Sequence, residues 1–115
     1  ICKENEKEAY LAPARNMYTL YVGGMGAKNK NFYYNLVCDY GYKDVASEIQ
    51  NLYLAGKKEE ASRLFPDELI DELTLVGTKQ EIEKKYENWK ESNVSELSLS
   101  YPIDIDTIKF IKSLN

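Results

Sequence analysis

Apolar residues recur three or four positions apart through the first part of the chain, which is the spacing of amphipathic helices. In the first such segment they are Tyr10, Ala14, Met17, Tyr18 and Tyr21. Pro13 lies inside this pattern, so the helix is expected to kink there or to begin there. The run Gly23-Gly24-Met25-Gly26 is expected to end the helix, because glycine readily adopts left-handed backbone conformations.

The same spacing predicts four shorter helices, over residues 31–40, 44–55, 57–65 and 67–72. Gly41 and Gly56 separate the first three, since glycine is common just after the end of a helix. Asp44 suits the N-cap of its helix, and Pro66 suits the first turn of the last one. Residues 1–72 are therefore expected to be predominantly helical.

The pattern changes after residue 72. Residues 73–76 predict a short strand that ends at Gly77, and Thr78-Lys79-Gln80-Glu81 is a capping box that opens a helix. Residues 94–100 predict a second strand, which is followed by a final helix. A strand, helix, strand, helix order predicts parallel strands joined by a right-handed crossover. The predicted fold class is thus α/β, predominantly helical, with residues 73–115 as two strand–helix units.

In the second strand, apolar and polar side chains alternate. Leu97 and Leu99 would face a helical layer, while Ser98 and Ser100 would point to the other side. That polar side could line the interior of a barrel near a catalytic mouth, or it could be a solvated sheet face. The sequence leaves both interpretations open.

Composition narrows the classes of function. The chain has 115 residues, 43% of them hydrophobic, and a net charge of −4 that argues against a nucleic-acid partner. The absence of histidine excludes histidine-based acid–base catalysis and the usual histidine metal sites from this stretch, so no metal is expected. There is no apolar run that predicts a membrane span, and Cys2 and Cys38 form no CxxC motif. We expect reduced thiols and a cytoplasmic location. Because the chain begins at Ile1 without a methionine, we also expect a start inside a longer polypeptide.

Several short motifs resemble one enzyme family in the same order along the chain. The segment PDELIDELTLVGT, residues 66–78, resembles the PDELVD…LVGT passage of luciferase-like flavin-dependent oxidoreductases, including the deazaflavin-dependent reductases. The strand segment Asn93-Val94-Ser95-Glu96-Leu97 follows at the family's separation. Upstream, the motifs YVGGMG at 21–26, NFY at 31–33 and YGY at 40–42 are similar to the same proteins. The resemblance covers nearly the whole chain.

This resemblance implies the C-terminal part of a TIM barrel, a βα barrel of about 250 residues. On that mapping Ile1-Cys2 closes the sixth strand. Residues up to Glu72 are the sixth helix plus a helical insertion, and residues 73–115 supply the last two strand–helix units. The implied cofactor is FMN or coenzyme F420, a deazaflavin, and the implied reaction is hydride transfer or monooxygenation of a small-molecule substrate. Much of the cofactor pocket would lie on the first five strands, so this chain alone is expected to be inactive.

Candidate site residues follow from the rule that active sites of such barrels lie at the carboxyl ends of the strands. Gly77 and Ser100 are the candidates for cofactor binding, and Asn31 and Tyr33 are the candidates for a substrate pocket formed by the insertion. Each has a structural alternative: a tight turn for Gly77, a solvent-facing hydroxyl for Ser100, and ordinary packing for the other two. No catalytic residue is assigned.

A different class of function remains open for the same segment. It could be a non-catalytic helical module used for interaction or dimerisation. Unpaired strand edges and apolar helix faces promote association between chains. We therefore expect a homo-oligomer on either interpretation.

Overall fold

Helices dominate residues 1–99 and 103–115, the part of the chain that the computed structural model describes. Seven α-helices lie in these ranges: α1 (Lys7–Gly24), α2 (Phe32–Val37), α3 (Lys43–Leu54), α4 (Lys58–Arg63), α5 (Asp67–Glu72), α6 (Lys79–Lys90) and α7 (Ile105–Ser113). A 3-10 turn at Glu4–Glu6 precedes α1, and a π-helical turn at Cys38–Tyr42 lies between α2 and α3. The residues divide into two units, Glu8–Thr74 and Ile1–Lys7 with Leu75–Asn115. The prediction of a predominantly helical chain is confirmed.

Within the Glu8–Thr74 unit, one face of α1 is buried. Its buried residues are Leu11, Arg15, Thr19, Val22 and Gly23. The remainder of this core comes from the later helices and their ends: Val37, Ala46, Ile49, Ala61, Phe65, Leu69 and Ile70. Pro13 lies inside α1, which runs through it. Tyr18 stacks on Phe65 with ring centroids 5.8 Å apart, so aromatic packing adds to the contact between α1 and the end of α4.

The buried guanidinium of Arg15 joins α1 to the start of α5. Its Nη1 donates to the carbonyl oxygen of Phe65 at 2.9 Å and lies 2.9 Å from Oδ1 of Asp67. Its Nη2 lies 3.3 Å from Oε2 of Glu8, two turns closer to the start of α1. Because a buried cation is costly unless it is paired, these contacts fix where α5 begins relative to α1.

Two glycines let α3 approach the end of α1. A Cβ added to Gly23 would lie 2.5 Å from Cβ of Tyr53, and one added to Gly24 would lie 2.7 Å from Cε1 of the same ring. Both distances are closer than real carbon contacts, so Tyr53 can rest here only because the side chains are absent. The helix then ends at Gly24, and Gly26 has a φ of +144°. The expectation that the glycine run ends this helix is confirmed.

The second unit is built on α6. Ile82 and Tyr86 are its buried residues, and the hydroxyl of Tyr86 donates to Oδ1 of Asn115 at 2.6 Å. Asp104 caps α7 by accepting a hydrogen bond from the backbone N–H of Thr107 at 2.7 Å. Both helices therefore begin where a side-chain oxygen accepts a hydrogen bond from a backbone N–H of the first turn.

The two expected strands are not formed in the described residues. Residues 74–76 and 94–99 adopt no regular structure, and Ser100 lies outside the described residues. Leu73 instead belongs to the end of α5, where its N–H donates to the carbonyl oxygen of Leu69 and Oγ1 of Thr74 donates to that of Ile70. A strand needs a neighbouring strand to satisfy its backbone groups, and the described residues supply none here. The prediction of two parallel strands was wrong for this part of the chain.

The sequence predicted no membrane-spanning segment, and the described helices can be compared with that prediction. Across residues 1–99 and 103–115, none of them combines the length and the apolar character that crossing a bilayer requires.

We predict that Arg15→Ala lowers the free energy of unfolding by about 2–4 kcal/mol, because the buried carbonyl of Phe65 loses its donor and the alkyl chain leaves a gap. Glu8 and Asp67 are exposed, so solvent screening keeps their share of the loss small. Urea denaturation measures the change. Arg63→Ala is the matched control, since Arg63 is exposed and lies 3.9 Å from Glu59, and should cost less than about 0.5 kcal/mol. Equal losses in the two variants would contradict the assigned role of Arg15.

Candidate functional site

The turn at Gly77 is tightly enclosed by its own neighbours. Its carbonyl oxygen accepts a hydrogen bond from the N–H of Cys2 at 2.9 Å, and its φ of +154° favours glycine. A Cβ added at this position would lie 2.7 Å from Oε2 of Glu81. The space left by the missing side chain is therefore occupied by Glu81. This geometry favours the structural alternative for Gly77, a tight turn into α6.

The capping box predicted at the start of α6 is confirmed. Oε2 of Glu81 accepts hydrogen bonds from the backbone N–H of Thr78 at 2.8 Å and from its hydroxyl at 3.0 Å. The N–H of Glu81 in turn donates to Oγ1 of Thr78 at 3.4 Å. On the other side of the carboxylate, Nζ of Lys7 donates to Oε1 at 2.9 Å. Glu81 is therefore held at the N-terminus of α6 by one backbone donor and two side-chain donors.

These donors change the acidity of Glu81. The N–H of Thr78 contributes most, followed by the ammonium of Lys7, and together with the hydroxyl they lower the pKa of Glu81 to about 2 from an ordinary 4.5. The carboxylate is consequently charged at neutral pH and sits where a helix N-terminus would otherwise attract an external anion. A phosphate group brought to this turn would meet that negative charge.

Asn31 lies in the interior and its side chain joins two helices. Its Nδ2 donates to the carbonyl oxygens of Tyr21 and Val22, both at 2.9 Å, near the end of α1. Its Oδ1 accepts from the N–H of Tyr34 at 3.0 Å and so caps α2. Only 1% of Asn31 is exposed. These three bonds use its polar atoms for backbone groups, and a substrate-pocket role for Asn31 stays a prediction.

Tyr33 is partly exposed beside Asn31. Its ring stacks on Tyr21 with centroids 4.7 Å apart, and Phe32 contacts it edge-on at 5.4 Å. The 37% of Tyr33 that remains exposed belongs to an aromatic surface patch with Phe32, which is 68% exposed. A substrate-facing role for Tyr33 stays a prediction.

A groove of about 440 Å³ runs between α1, the end of α3 and α4. It is lined by Asn16, Met17, Thr19, Leu20, Tyr53, Lys58, Glu59 and Ser62. The hydroxyl of Ser62 donates to Oδ1 of Asn16 at 2.7 Å, and the ammonium of Lys58 lies 5.3 Å from the centre of the Tyr53 ring. Neither Asn31 nor Tyr33 lines it. Sequence reasoning missed the groove because no local motif joins residues that lie up to 46 positions apart.

The four candidate residues fall in different parts of the chain. Asn31 and Tyr33 lie in the Glu8–Thr74 unit, whereas Gly77 lies in the other unit and Ser100 lies outside the described residues. Among residues 1–99 and 103–115, no group of three or more cysteine, aspartate or glutamate residues is placed to hold a metal ion. Of the four candidates, the structure therefore describes Asn31 and Tyr33 together in one unit and Gly77 separately in the other.

Comparison with known proteins establishes the family. The model of the luciferase-like monooxygenase family matches residues 1–96, and the chain belongs to this family, whose members are oxidoreductases. A relative in Mycobacterium tuberculosis, whose name proposes that it is a coenzyme F420-dependent oxidoreductase, is 33% identical over 91 residues. That alignment covers 79% of this chain and 26% of the relative, so the chain spans about a quarter of the length of the protein it matches. No solved structure matches the chain significantly. The family resemblance seen in the sequence motifs is confirmed.

We predict that Asn31→Ala lowers the free energy of unfolding by about 2–4 kcal/mol, since one buried donor and two buried acceptors lose their partner. Thermal or urea denaturation gives the value. Asn29→Ala, an exposed change two residues earlier in the same loop, is the control and should stay within about 0.5 kcal/mol. If the two variants were equally stable, the structural role of Asn31 would be lost and its assignment to a substrate pocket would regain support.

A second prediction concerns the stability of the protein at low pH. Because the pKa of Glu81 is lowered on folding, its charged form stabilises the protein above pH 4.5, and that contribution is lost as the pH falls towards about 2. Glu81→Gln should therefore be less stable than the parent at neutral pH and converge with it over this window. Urea midpoints measured at several pH values test this. Glu83→Gln removes the same charge from an exposed position on α6, so its urea midpoints should differ from those of the parent by a constant amount at every pH. If the midpoints of Glu81→Gln also differed from those of the parent by a constant amount, the proposed stabilisation by charged Glu81 would be wrong.

Proposed function

We propose that this chain is the C-terminal part of a flavin- or deazaflavin-dependent oxidoreductase that acts on a small-molecule substrate in the cytoplasm. The match of residues 1–96 to the luciferase-like monooxygenase family carries the proposal. The motif order, from YVGGMG through LVGT, supports the same family along the length of the chain. Within it, the bacterial relative favours coenzyme F420 over FMN as the cofactor. The complete protein would then be a TIM barrel, with this chain as its last helices and strand segments.

Bound to the complete enzyme, the cofactor would supply the hydride chemistry. At Gly77, one of the two candidate residues for cofactor binding, the described residues do not fit a phosphate group. There, Glu81 occupies the space beside Gly77 and holds a negative charge. We therefore propose that Gly77 shapes the turn into α6 and that anchoring of an anionic cofactor comes from other parts of the barrel. Ser100 remains a predicted cofactor contact.

We further propose that the chain alone is inactive. A pocket that buries most of a ring system is needed for useful affinity, and a cofactor pocket in a barrel converges from many strand ends. Isolated hydrogen bonds contribute only about 1 kcal/mol each, whereas millimolar binding already requires about −4 kcal/mol. A few contacts from this part of the barrel therefore do not reach useful occupancy.

The test compares two proteins with the same cofactors. The complete polypeptide that carries this sequence in its source organism, and the 115-residue chain, are each titrated with coenzyme F420 and with FMN, following fluorescence. We expect saturable binding at micromolar concentrations by the complete polypeptide only, together with cofactor-dependent oxidation or reduction of a small molecule.

The two parts of the proposal fail separately. A complete polypeptide that binds neither cofactor overturns the assignment as an oxidoreductase and favours a non-catalytic interaction module. Saturable micromolar binding by the 115-residue chain overturns only the proposal that it lacks a complete pocket.

A further inference from the structure

The groove between α1, the end of α3 and α4 has an apolar wall. Met17 and Leu20 lie three positions apart on α1 and so share one face of that helix, with 41% and 38% of their surface exposed. The ring of Tyr53 continues the wall from α3. At about 440 Å³, the groove has the size of sites that bind small molecules.

One end of this wall is closed by contacts within the chain. A Cβ added to Gly24 would lie 2.7 Å from Cε1 of Tyr53 and 3.3 Å from Cδ1 of Leu20. Both side chains approach this point because the glycine has no side chain of its own. The wall is therefore formed before any ligand binds, and a ligand would lose little free energy to rearrangement of the protein.

Two hydrogen-bond donors line the groove without using their full capacity. The hydroxyl of Ser62 donates to Oδ1 of Asn16 at 2.7 Å, and Nδ2 of that amide has no hydrogen-bond partner among residues 1–99 and 103–115. The ammonium of Lys58 lies 5.3 Å from the centre of the Tyr53 ring and forms no ion pair in the part of the chain that the structure describes. A ring covers only one side of an ammonium, so the N–H groups of Lys58 are able to donate to a ligand.

The apolar wall and the two donors together define a class of ligand. We propose that the groove binds an aromatic carboxylate, with its ring on Met17 and Leu20 and its carboxylate beside Lys58. A flat ring packs well against a thioether, and an ionised oxygen forms stronger hydrogen bonds with N–H donors than a neutral one. The site lies within the Glu8–Thr74 unit and does not depend on the proposed oxidoreductase function.

A polypeptide segment suits the groove less well than a carboxylate. Its backbone brings about one N–H group for each carbonyl, and each buried N–H group needs an acceptor. The acidic residue of the groove is Glu59, whose side chain is 92% exposed and whose Oε2 lies 3.9 Å from Nη2 of Arg63 on the surface of α4. The groups directed at the wall, Nδ2 of Asn16 and the ammonium of Lys58, are donors, so the ligand has to supply acceptors.

Two fluorescent ligands that share a fused ring test the proposal: 2-naphthoate, which is anionic at neutral pH, and 2-naphthol, which is neutral. Each is titrated into the 115-residue chain and into the complete polypeptide that carries it. We expect both proteins to bind 2-naphthoate saturably, with a dissociation constant of about 1 mM or lower. Binding of 2-naphthol should be weaker, because it offers Lys58 no charged oxygen.

Two charge-changing variants locate the carboxylate. Lys58→Gln should raise the dissociation constant of 2-naphthoate about fivefold and leave that of 2-naphthol unchanged. Lys57→Gln is the matched control: it removes the same charge from the adjacent exposed residue, which pairs with Glu60 and does not line the groove. Asn16→Asp keeps the oxygen that accepts from Ser62 but replaces the Nδ2 donor with a charged oxygen. It should weaken 2-naphthoate about tenfold, with Asn29→Asp in the exposed loop as its control.

Four outcomes would overturn the proposal. Equal weakening by the variants at residues 57 and 58 would mean that binding depends only on net charge, and equal weakening of both ligands would mean that no carboxylate is recognised. Binding by the 115-residue chain alone would show that another part of the complete polypeptide covers the groove. Absence of saturable binding by the unsubstituted proteins decides the matter even if a variant fails to fold. Because coenzyme F420 and FMN are titrated separately, none of these outcomes bears on the proposed oxidoreductase function.

Discussion

The guanidinium of Arg15 is the contact on which the packing of the Glu8–Thr74 unit depends. Arg15 lies on the buried face of α1 and only 8% of the residue is exposed. A buried cation is costly unless hydrogen-bond acceptors or carboxylates are held close to it. The carbonyl of Phe65 and the carboxylate of Asp67 meet this need, and both lie at the junction where α4 ends and α5 begins. The short helices α4 and α5, of six residues each, would be marginal alone in water, so their positions follow from what they pack against.

Buried polar groups need hydrogen-bond partners, and this need explains the roles of two polar residues that resemble ligand-binding groups. Both form hydrogen bonds with the backbone. Asn31 satisfies two carbonyl oxygens at the end of α1 and one N–H at the start of α2, groups that no helix can satisfy internally. Glu81 does the same at the start of α6. Once such a side chain is committed to a helix end, it has little capacity left for a ligand. In this chain, satisfying the helix ends and binding a cofactor would therefore be competing uses of the same side-chain atoms.

Family membership and local structure give different information about function here. The match over residues 1–96 places the chain among luciferase-like oxidoreductases, yet the alignment covers about a quarter of the bacterial relative. Membership therefore identifies a family of oxidoreductases, whereas the described contacts of Asn31 and Glu81 show how helix ends are stabilised.

The sequence by itself determined the features that depend on neighbours close along the chain. The glycine run ends α1, the Thr78–Glu81 capping box opens α6, and the ordered motifs identify the family. Each involves residues within a few positions of one another, where spacing alone specifies the hydrogen bonds.

Contacts between residues far apart in the sequence were decided only by the tertiary structure. It brought Phe65 to Arg15 and Tyr53 to Gly23, and it placed Lys7 beside Glu81 across 74 positions. It also decided against strands at residues 74–76 and 94–99, although their alternation and β-branched residues favour extended structure. A helix satisfies its backbone from within, whereas a strand must be completed by another, and that difference is why the helices could be read from the sequence and the strands could not.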